Sequence, residues 1–253
     1  MPFLPLSDDN PRILIGRPWI TWGVIGACVA VFLLQASVGP VGGQRLLVGL
    51  GLIPASLTGL ADLRPEYTLV PPVVTLVTSM FLHGGLMHLA GNMLFLWVFG
   101  DNVEDSMGHG RFVAFYLLTG VAAALTHVGV APGTTVPMVG ASGAISGVLG
   151  AYLMLFPKAR VAVLIFWLPF TFPAYVLLIL WIGFQLLAAG SGGEPGVAWY
   201  AHIGGFFAGM ALIVPFRNKT VPLFGGGTHP KGIRLKRRGD RDTPFRDSDR
   251  PWG

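Results

Sequence analysis

The sequence predicts an all-α fold, a polytopic membrane bundle of six transmembrane helices. Three observations predict it. Charged residues make up only 11% of the 253-residue chain, where a soluble protein carries about 25%. Hydrophobic residues make up 53%, and the mean hydropathy is +0.65. Stretches 18–44, 67–100, 112–157, 161–193 and 195–216 contain no Asp, Glu, Lys or Arg. A chain this apolar lacks the polar surface of a soluble domain, and a spanning helix needs roughly 20 apolar residues. The third stretch accommodates two helices, which brings the expected count to six.

The elements follow in order. Residues 1–17 are read as a short cytoplasmic N-terminus. The membrane domain is expected over 18–216, with spans at 19–38, 85–103, 112–130, 141–156, 172–190 and 199–216. Gly39-Pro40, Pro71-Pro72, Ala131-Pro132-Gly133 and Glu194-Pro195-Gly196 separate them, because Gly and Pro interrupt helices. Segment 40–72 is long and half apolar, as expected of a stretch lying in the bilayer interface. Segment 217–253, rich in Gly, Pro, Arg and Asp, is expected to be disordered. The single cysteine, Cys28, falls mid-helix in the first span and cannot form an intramolecular disulfide. Trp19, Trp22, Trp97 and Trp199, near span ends, suit an interfacial aromatic belt.

Charge sets the expected orientation. The net charge of +5 is not a nucleic-acid signature, because ten of the 17 Lys and Arg residues lie at or beyond Arg217, interleaved with Asp240, Asp242, Asp247 and Asp249. With the N-terminus in the cytoplasm, 15 of the 17 fall inside and only Arg45 and Arg64 outside. That is the sense of the positive-inside rule. Both termini are then cytoplasmic. A bacterial plasma membrane is the expected location, since no Arg-rich, Ser-rich transit segment precedes the first span.

Polar residues inside a membrane are costly and tend to be functional. The second span carries His83, His88 and Asn92; the fourth opens with Gly140-Ala141-Ser142-Gly143; the sixth opens with Ala201-His202-Ile203-Gly204-Gly205. In the expected topology these spans all run from outside to inside, so the three sets share one depth. A serine hydroxyl needs an adjacent base to act as a nucleophile, and His202 is the candidate base for Ser142. His88 and Asn92, spaced i and i+4, share a helix face and offer hydrogen bonds to an oxyanion. The Ser142 N–H, at a helix start, is a further donor. Gly143, Gly147 and Gly150 on the fourth span, with Gly205 and Gly209 on the sixth, form small-residue stripes that let helix backbones approach.

Together these pieces resemble the rhomboid family of intramembrane serine proteases over about 83–216. The resemblance implies a Ser142–His202 dyad without an acidic third member, acting through an acyl-enzyme. His88, Asn92 and the Ser142 amide correspond to its oxyanion hole, with His83, Gly140, Gly143 and Gly205 in support. Glu104 corresponds to an acid that ties a cytoplasmic loop. The fifth helix corresponds to part of a lateral gate, with Pro169 and Pro173 near its start. Single-span membrane proteins are the implied substrates and the lipid bilayer the surrounding partner; neither a cofactor nor a metal is implied. Oligomeric state is left open. Two departures stand out: segment 40–72 has no Trp, and position 146 is Ser where some relatives carry an aromatic residue beneath the base.

Other readings compete. Ser142 alone reads as a small residue at a helix crossing, and Ser146 keeps that reading. His127 reads as an interfacial residue, and His109 and His229 as loop residues. Bis-His haem ligation by His88 and His202 leaves Ser142 and Asn92 without a role. A transporter predicts a repeat, and none is visible. A catalytically inactive rhomboid-like client-binding protein should lack the Ser or the His. There is no His-Glu-x-x-His zinc motif.

Overall fold

The structure is a computed structural model that describes residues 4–192 and 197–225. Its elements in chain order are β1 (Leu4–Asp8), α1 (Trp19–Ser37), α2 (Gly39–Leu50), α3 (Pro54–Leu57), α4 (Thr75–Thr78), α5 (Leu86–Met107), α6 (His109–Val130), α7 (Ser142–Leu155), β2 (Arg160–Ile165), β3 (Leu168–Pro173), α8 (Ala174–Gly190) and α9 (Trp199–Phe216). Helices α1, α6 and α9 are long and apolar enough to cross a membrane. Helix α5 makes a fourth candidate when joined to the segment Pro65–Phe81, from which it is bent by 78°. Helices α7 and α8 are apolar but shorter, at 14 and 17 residues. The architecture is that of a helical, multi-pass integral membrane protein.

The expectation of an all-α chain is corrected by a three-stranded antiparallel sheet in the order β1-β2-β3. Strands β2 and β3 form a hairpin in register from Arg160 opposite Pro173 to Ile165 opposite Leu168. Strand β1 pairs with β2 from Leu4 opposite Leu164 to Asp8 opposite Val161. The cause is local: β2 reads Arg-Val-Ala-Val-Leu-Ile, whose β-branched residues favour a pleated surface, and it buries Val161 and Val163 from one face. Phe166 and Trp167 turn the hairpin with φ of 46° and 68°. Tight hairpin turns require this left-handed backbone, although Gly or Asn normally occupies it. The sheet also moves the start of α8 to residue 174 instead of 172.

The long helices pack by backbone approach. A Cβ on Gly205 or Gly209 of α9 would overlap the carbonyl oxygens of Gly143 and Gly147 of α7. This pairing makes α7 and α9 parallel. The three α7 glycines do not form one stripe toward α9, as expected, but split. Gly150 clears Phe206 and Met210 of α9, whereas Gly143 and Gly147 clear Ala123 and Thr119 of α6. Helix α7 is therefore clasped on two sides by antiparallel α6 and parallel α9. Below it, Phe95, Phe99, Tyr152 and Leu155 are buried in the main apolar cluster.

The C-terminal end of α5 organises the N-terminal segment. Buried Glu104 accepts hydrogen bonds from the Ile20 and Thr21 N–H groups at 3.0 and 2.8 Å and from Thr21 Oγ at 2.6 Å. It thereby caps α1, whose own N-cap residue is Pro18. His109 Nδ1 lies 2.5 Å from the same carboxylate. The acid thus joins α1 to the α5–α6 turn. Asp105 accepts from the N–H groups of Ile13, Leu14 and Ile15 at 2.9, 2.7 and 2.6 Å. Asp8 of β1 accepts from Tyr152 Oη at 2.5 Å and from Asn102 Nδ2 at 3.2 Å.

Residues 217–225 belong to the segment expected to be disordered. Residues 217–225 return along the base of the bundle, with Asn218 N donating to Ser106 O at 2.7 Å and Phe224 N to Met154 O at 2.7 Å. Residues 226–253 of that expectation lie outside the described residues. Segment 40–72, read as an interfacial stretch, contains α2 and α3. Its middle is held where Leu52 pairs with Met138 in the loop before α7.

Two predictions follow from this packing. Gly209→Leu should lower the thermal unfolding temperature in detergent, because overpacking a tight core costs about 1–3 kcal/mol. Gly183→Leu on α8, where a Cβ meets nothing within 4 Å, should leave it nearly unchanged. Burial pushes the Asp8 carboxyl up to about 7, against the opposing Tyr152 hydrogen bond and with help from the Asp101 charge. A carboxyl held above its unfolded value binds its proton more tightly in the folded state, so stability falls as pH rises from about 4 to about 7. Thermal unfolding at pH 5 and pH 8 should therefore show the wild type weaker at the higher pH, and Asp8→Asn should flatten the difference.

Candidate active site

The site lies where the N-terminal ends of α5, α7 and α9 meet. Ser142 is the first residue of α7, and His202 stands in the first turn of α9. The parallel glycine contact of Gly143 with Gly205 sets these two turns side by side. Ser142 Oγ lies 2.9 Å from His202 Nε2, a hydrogen bond between two helices 60 residues apart in sequence. Ser142 is half-buried and His202 is buried. Ser146, one turn below, donates to the Ser142 carbonyl at 2.6 Å. That bond satisfies its hydroxyl locally and matches the packing reading given to it.

Helix α5 supplies the second wall. Gly140 has φ of 122°, and a Cβ there would lie 2.7 Å from His88 Cε1 and 3.5 Å from Asn92 Nδ2. Only glycine lets the chain pass this close to both side chains two residues before Ser142. The Gly140 N–H donates to Ser79 O at 2.9 Å, which fixes the approach to α7. His88 is exposed, and Asn92 is buried with no hydrogen-bond partner for Nδ2 among the described residues. A buried amide donor is rarely left unmatched. Its position beside Gly140 and the start of α7 leaves it free for an acceptor that enters the site. The Ser142 N–H, at the first position of α7, is also without an intrahelical acceptor by helix geometry.

His83 is buried with both ring nitrogens unpartnered among the described residues. Its ring meets His88 edge-on, with centroids 5.3 Å apart. Its backbone is clamped by Gln35 of α1: Gln35 Nε2 donates to His83 O at 3.2 Å and His83 N donates to Gln35 Oε1 at 3.3 Å. The structure thus brings together every residue singled out from sequence: Ser142, His202, His88, Asn92, His83, Gly140, Gly143 and Gly205.

Two residues escaped the sequence reading. Gln35 is one. The other is Gln185 of α8, buried, with Oε1 2.8 Å from His202 Nδ1. Trp181, one turn earlier on α8, lies against the same imidazole with centroids 6.2 Å apart, and Trp199 meets it nearly edge-on at 6.3 Å. These side chains answer what supports His202 above a serine at position 146. The available signal was simple: each glutamine is the sole amide side chain in an otherwise apolar helix. The haem reading loses its second ligand here, because both nitrogens of His202 are already engaged.

Comparisons with known proteins identify the family. Residues 71–219 match the family model described as the Rhomboid domain. Rhomboid protease GluP of Bacillus subtilis is 32% identical over 200 residues, 79% of this chain and 36% of that protein. Rhomboid protein 1, mitochondrial, of Saccharomyces cerevisiae is 32% identical over 157 residues, 58% of this chain and 42% of that protein. The human presenilin-associated rhomboid-like protein, mitochondrial, is 42% identical over 101 residues, 39% of this chain and 26% of that protein. The chain thus spans less than half the length of each of these relatives. The family model covers more than half of the chain and most of its membrane core, and on that ground the chain belongs to the rhomboid family.

Proposed function

We propose that the protein is an intramembrane serine endopeptidase that cleaves single-span membrane proteins through Ser142 and His202. The observation that carries this reading is the 2.9 Å hydrogen bond between Ser142 Oγ and His202 Nε2. The site lies at helix starts inside an apolar bundle, where a free hydroxyl–imidazole pair has no structural need to be. Six crossings are proposed, by α1, α5, α6, α7, α8 and α9, with both termini on the cytoplasmic side. The site then faces the outer half of the membrane. The similar proteins include a bacterial and a mitochondrial member, and the bacterial plasma membrane is the specific proposal.

The chemistry follows from the geometry. Ser142 Oγ attacks the substrate carbonyl as His202 Nε2 takes its proton. Negative charge then grows on the carbonyl oxygen. Asn92 Nδ2, His88 and the Ser142 N–H are the donors placed to meet it. Such preorganised donors are worth about 2.7–4 kcal/mol each where they have been removed one at a time. Collapse breaks the C–N bond, and the imidazolium returns its proton to the leaving amine. Water then hydrolyses the acyl-enzyme by the same base. The exposed ring of His88 marks the open side through which an unfolded stretch of substrate helix reaches the serine.

The test is cleavage of a model transmembrane substrate in liposomes. Ser142→Ala and His202→Ala should each abolish it, and Asn92→Ala should reduce it about 100-fold or more. Ser146→Ala should leave most of it. A fluorophosphonate probe should label wild type at Ser142 and spare Ser142→Ala. Cleavage by Ser142→Ala at the wild-type rate would overturn the mechanism. Gly205→Leu should lose activity while still inserting into the membrane, because the added side chain overlaps the Gly143 carbonyl and parts the two catalytic turns.

A further inference from the structure

The resemblance implied a two-residue dyad, yet the structure holds a third polar side chain on the base. We propose that Gln185 is a positioning residue that fixes the tautomer and orientation of His202, and so makes α8 part of the catalytic apparatus. The inference rests on the protease reading above.

The argument begins with the two nitrogens of one ring. A neutral imidazole carries one N–H and one lone pair, and a partner on one nitrogen decides which is which. His202 can accept the serine proton only if Nε2 holds the lone pair. Nδ1 must then carry the hydrogen, and it needs an acceptor. Gln185 Oε1 stands 2.8 Å from Nδ1, and both side chains are buried. The opposite placement of the amide would point an NH2 at Nδ1, move the ring proton to Nε2 and face it toward the serine hydroxyl. That arrangement leaves the base unable to accept. The carbonyl-facing amide is the one compatible with a Ser142 Oγ–H donating to Nε2.

Gln185 also restrains where the ring lies. Trp181 and Gln185 are one helical turn apart on α8 and meet the same imidazole. The opposite face of α8, with Ile179, Leu180, Leu186 and Leu187, is exposed. The helix therefore presents one polar side chain inward, and that side chain ends on the base. A packing role alone would be served equally well by an apolar side chain of the same length.

Gln185→Met and Gln185→Glu separate the two roles. Methionine keeps the volume and loses the acceptor; glutamate keeps the acceptor and adds a charge. In liposome cleavage, Gln185→Met should lower kcat about 100-fold, the lower end of what a positioned base contributes, with KM little changed. Gln185→Glu should retain far more activity than Gln185→Met even where its thermal stability is lower. Nitrogen NMR of histidine-labelled protein gives a readout independent of turnover: His202 should be protonated on Nδ1 in wild type and should lose that preference in Gln185→Met. Wild-type kcat and an unchanged tautomer in Gln185→Met would overturn the proposal. So would losses in both variants that simply follow their loss of stability. If wild type cleaves nothing, or Ser142→Ala cleaves normally, the protease reading fails, and the NMR result still decides whether Gln185 sets the tautomer.

Discussion

Everything at the site depends on how closely α7 and α9 approach. In lipid there is no hydrophobic force to drive helices together, so contact relies on packing and on small residues that admit the backbones. Gly205 and Gly209 point at the α7 carbonyls with no side chain between. The two contacts lie one turn apart, which fixes separation, register and parallel direction together. The 2.9 Å Ser142–His202 distance is a consequence of that register. A shift of α9 by a single residue along its axis moves His202 by about 1.5 Å and turns it by roughly 100°, enough to remove it from the serine. The clasp of α6 on the other side of α7, through Ala123 and Thr119, prevents α7 from yielding instead.

Helix α5 ties this contact to the rest of the molecule. Its first turns bear His88 and Asn92 beside Gly140, while its last turns bear Glu104 and Asp105, which collect the N-terminal segment. A backbone donor withdrawn from water without a helix or sheet partner needs another acceptor. The N–H groups of Ile13, Leu14 and Ile15 and the start of α1 find theirs in these two carboxylates. The N-terminal strand closes the same end by pairing with β2 and by handing Asp8 to Tyr152 of α7. One helix therefore carries the proposed oxyanion donors at one end and the structural acids at the other. Both ends bear on α7, which starts with the proposed nucleophile.

The parts that were legible in the sequence are those with strong physical penalties. Charge-free runs located α1, α5, α6, α7, α8 and α9, because a charge in lipid is costly at any position. The site residues were legible because Ser142, His202, His88 and Asn92 fall at matched depths in alternate spans. The sheet was not legible. Strands β2 and β3 are six residues long and, after Arg160, lie in a charge-free stretch, where hydrophobicity alone cannot separate a buried strand from a helix end. Gly143 and Gly147 meet the expected neighbour through their backbones, at Gly205 and Gly209, but their open side is turned to Ala123 and Thr119 of α6. A small-residue stripe states that some backbone comes close, and only the three-dimensional arrangement says which. Gln185 belongs to no motif, and the cost of burying a lone amide in α8 was its only signal.

That lone amide also explains why a neutral side chain suits this place better than an acid. In water-exposed serine proteases the third member is an Asp whose charge orients the histidine and stabilises the imidazolium. Here the corresponding position is buried in an apolar bundle, where an ionised carboxylate carries a desolvation penalty of several kcal/mol. A neutral imidazole offers a buried carboxylate no opposite charge to offset that penalty. An amide oxygen accepts the Nδ1 proton with no charge to desolvate. It gives up part of the electrostatic help when the imidazolium forms. The membrane thus selects the chemistry of the third residue: the same geometric task is done by a group whose resting state costs little to bury.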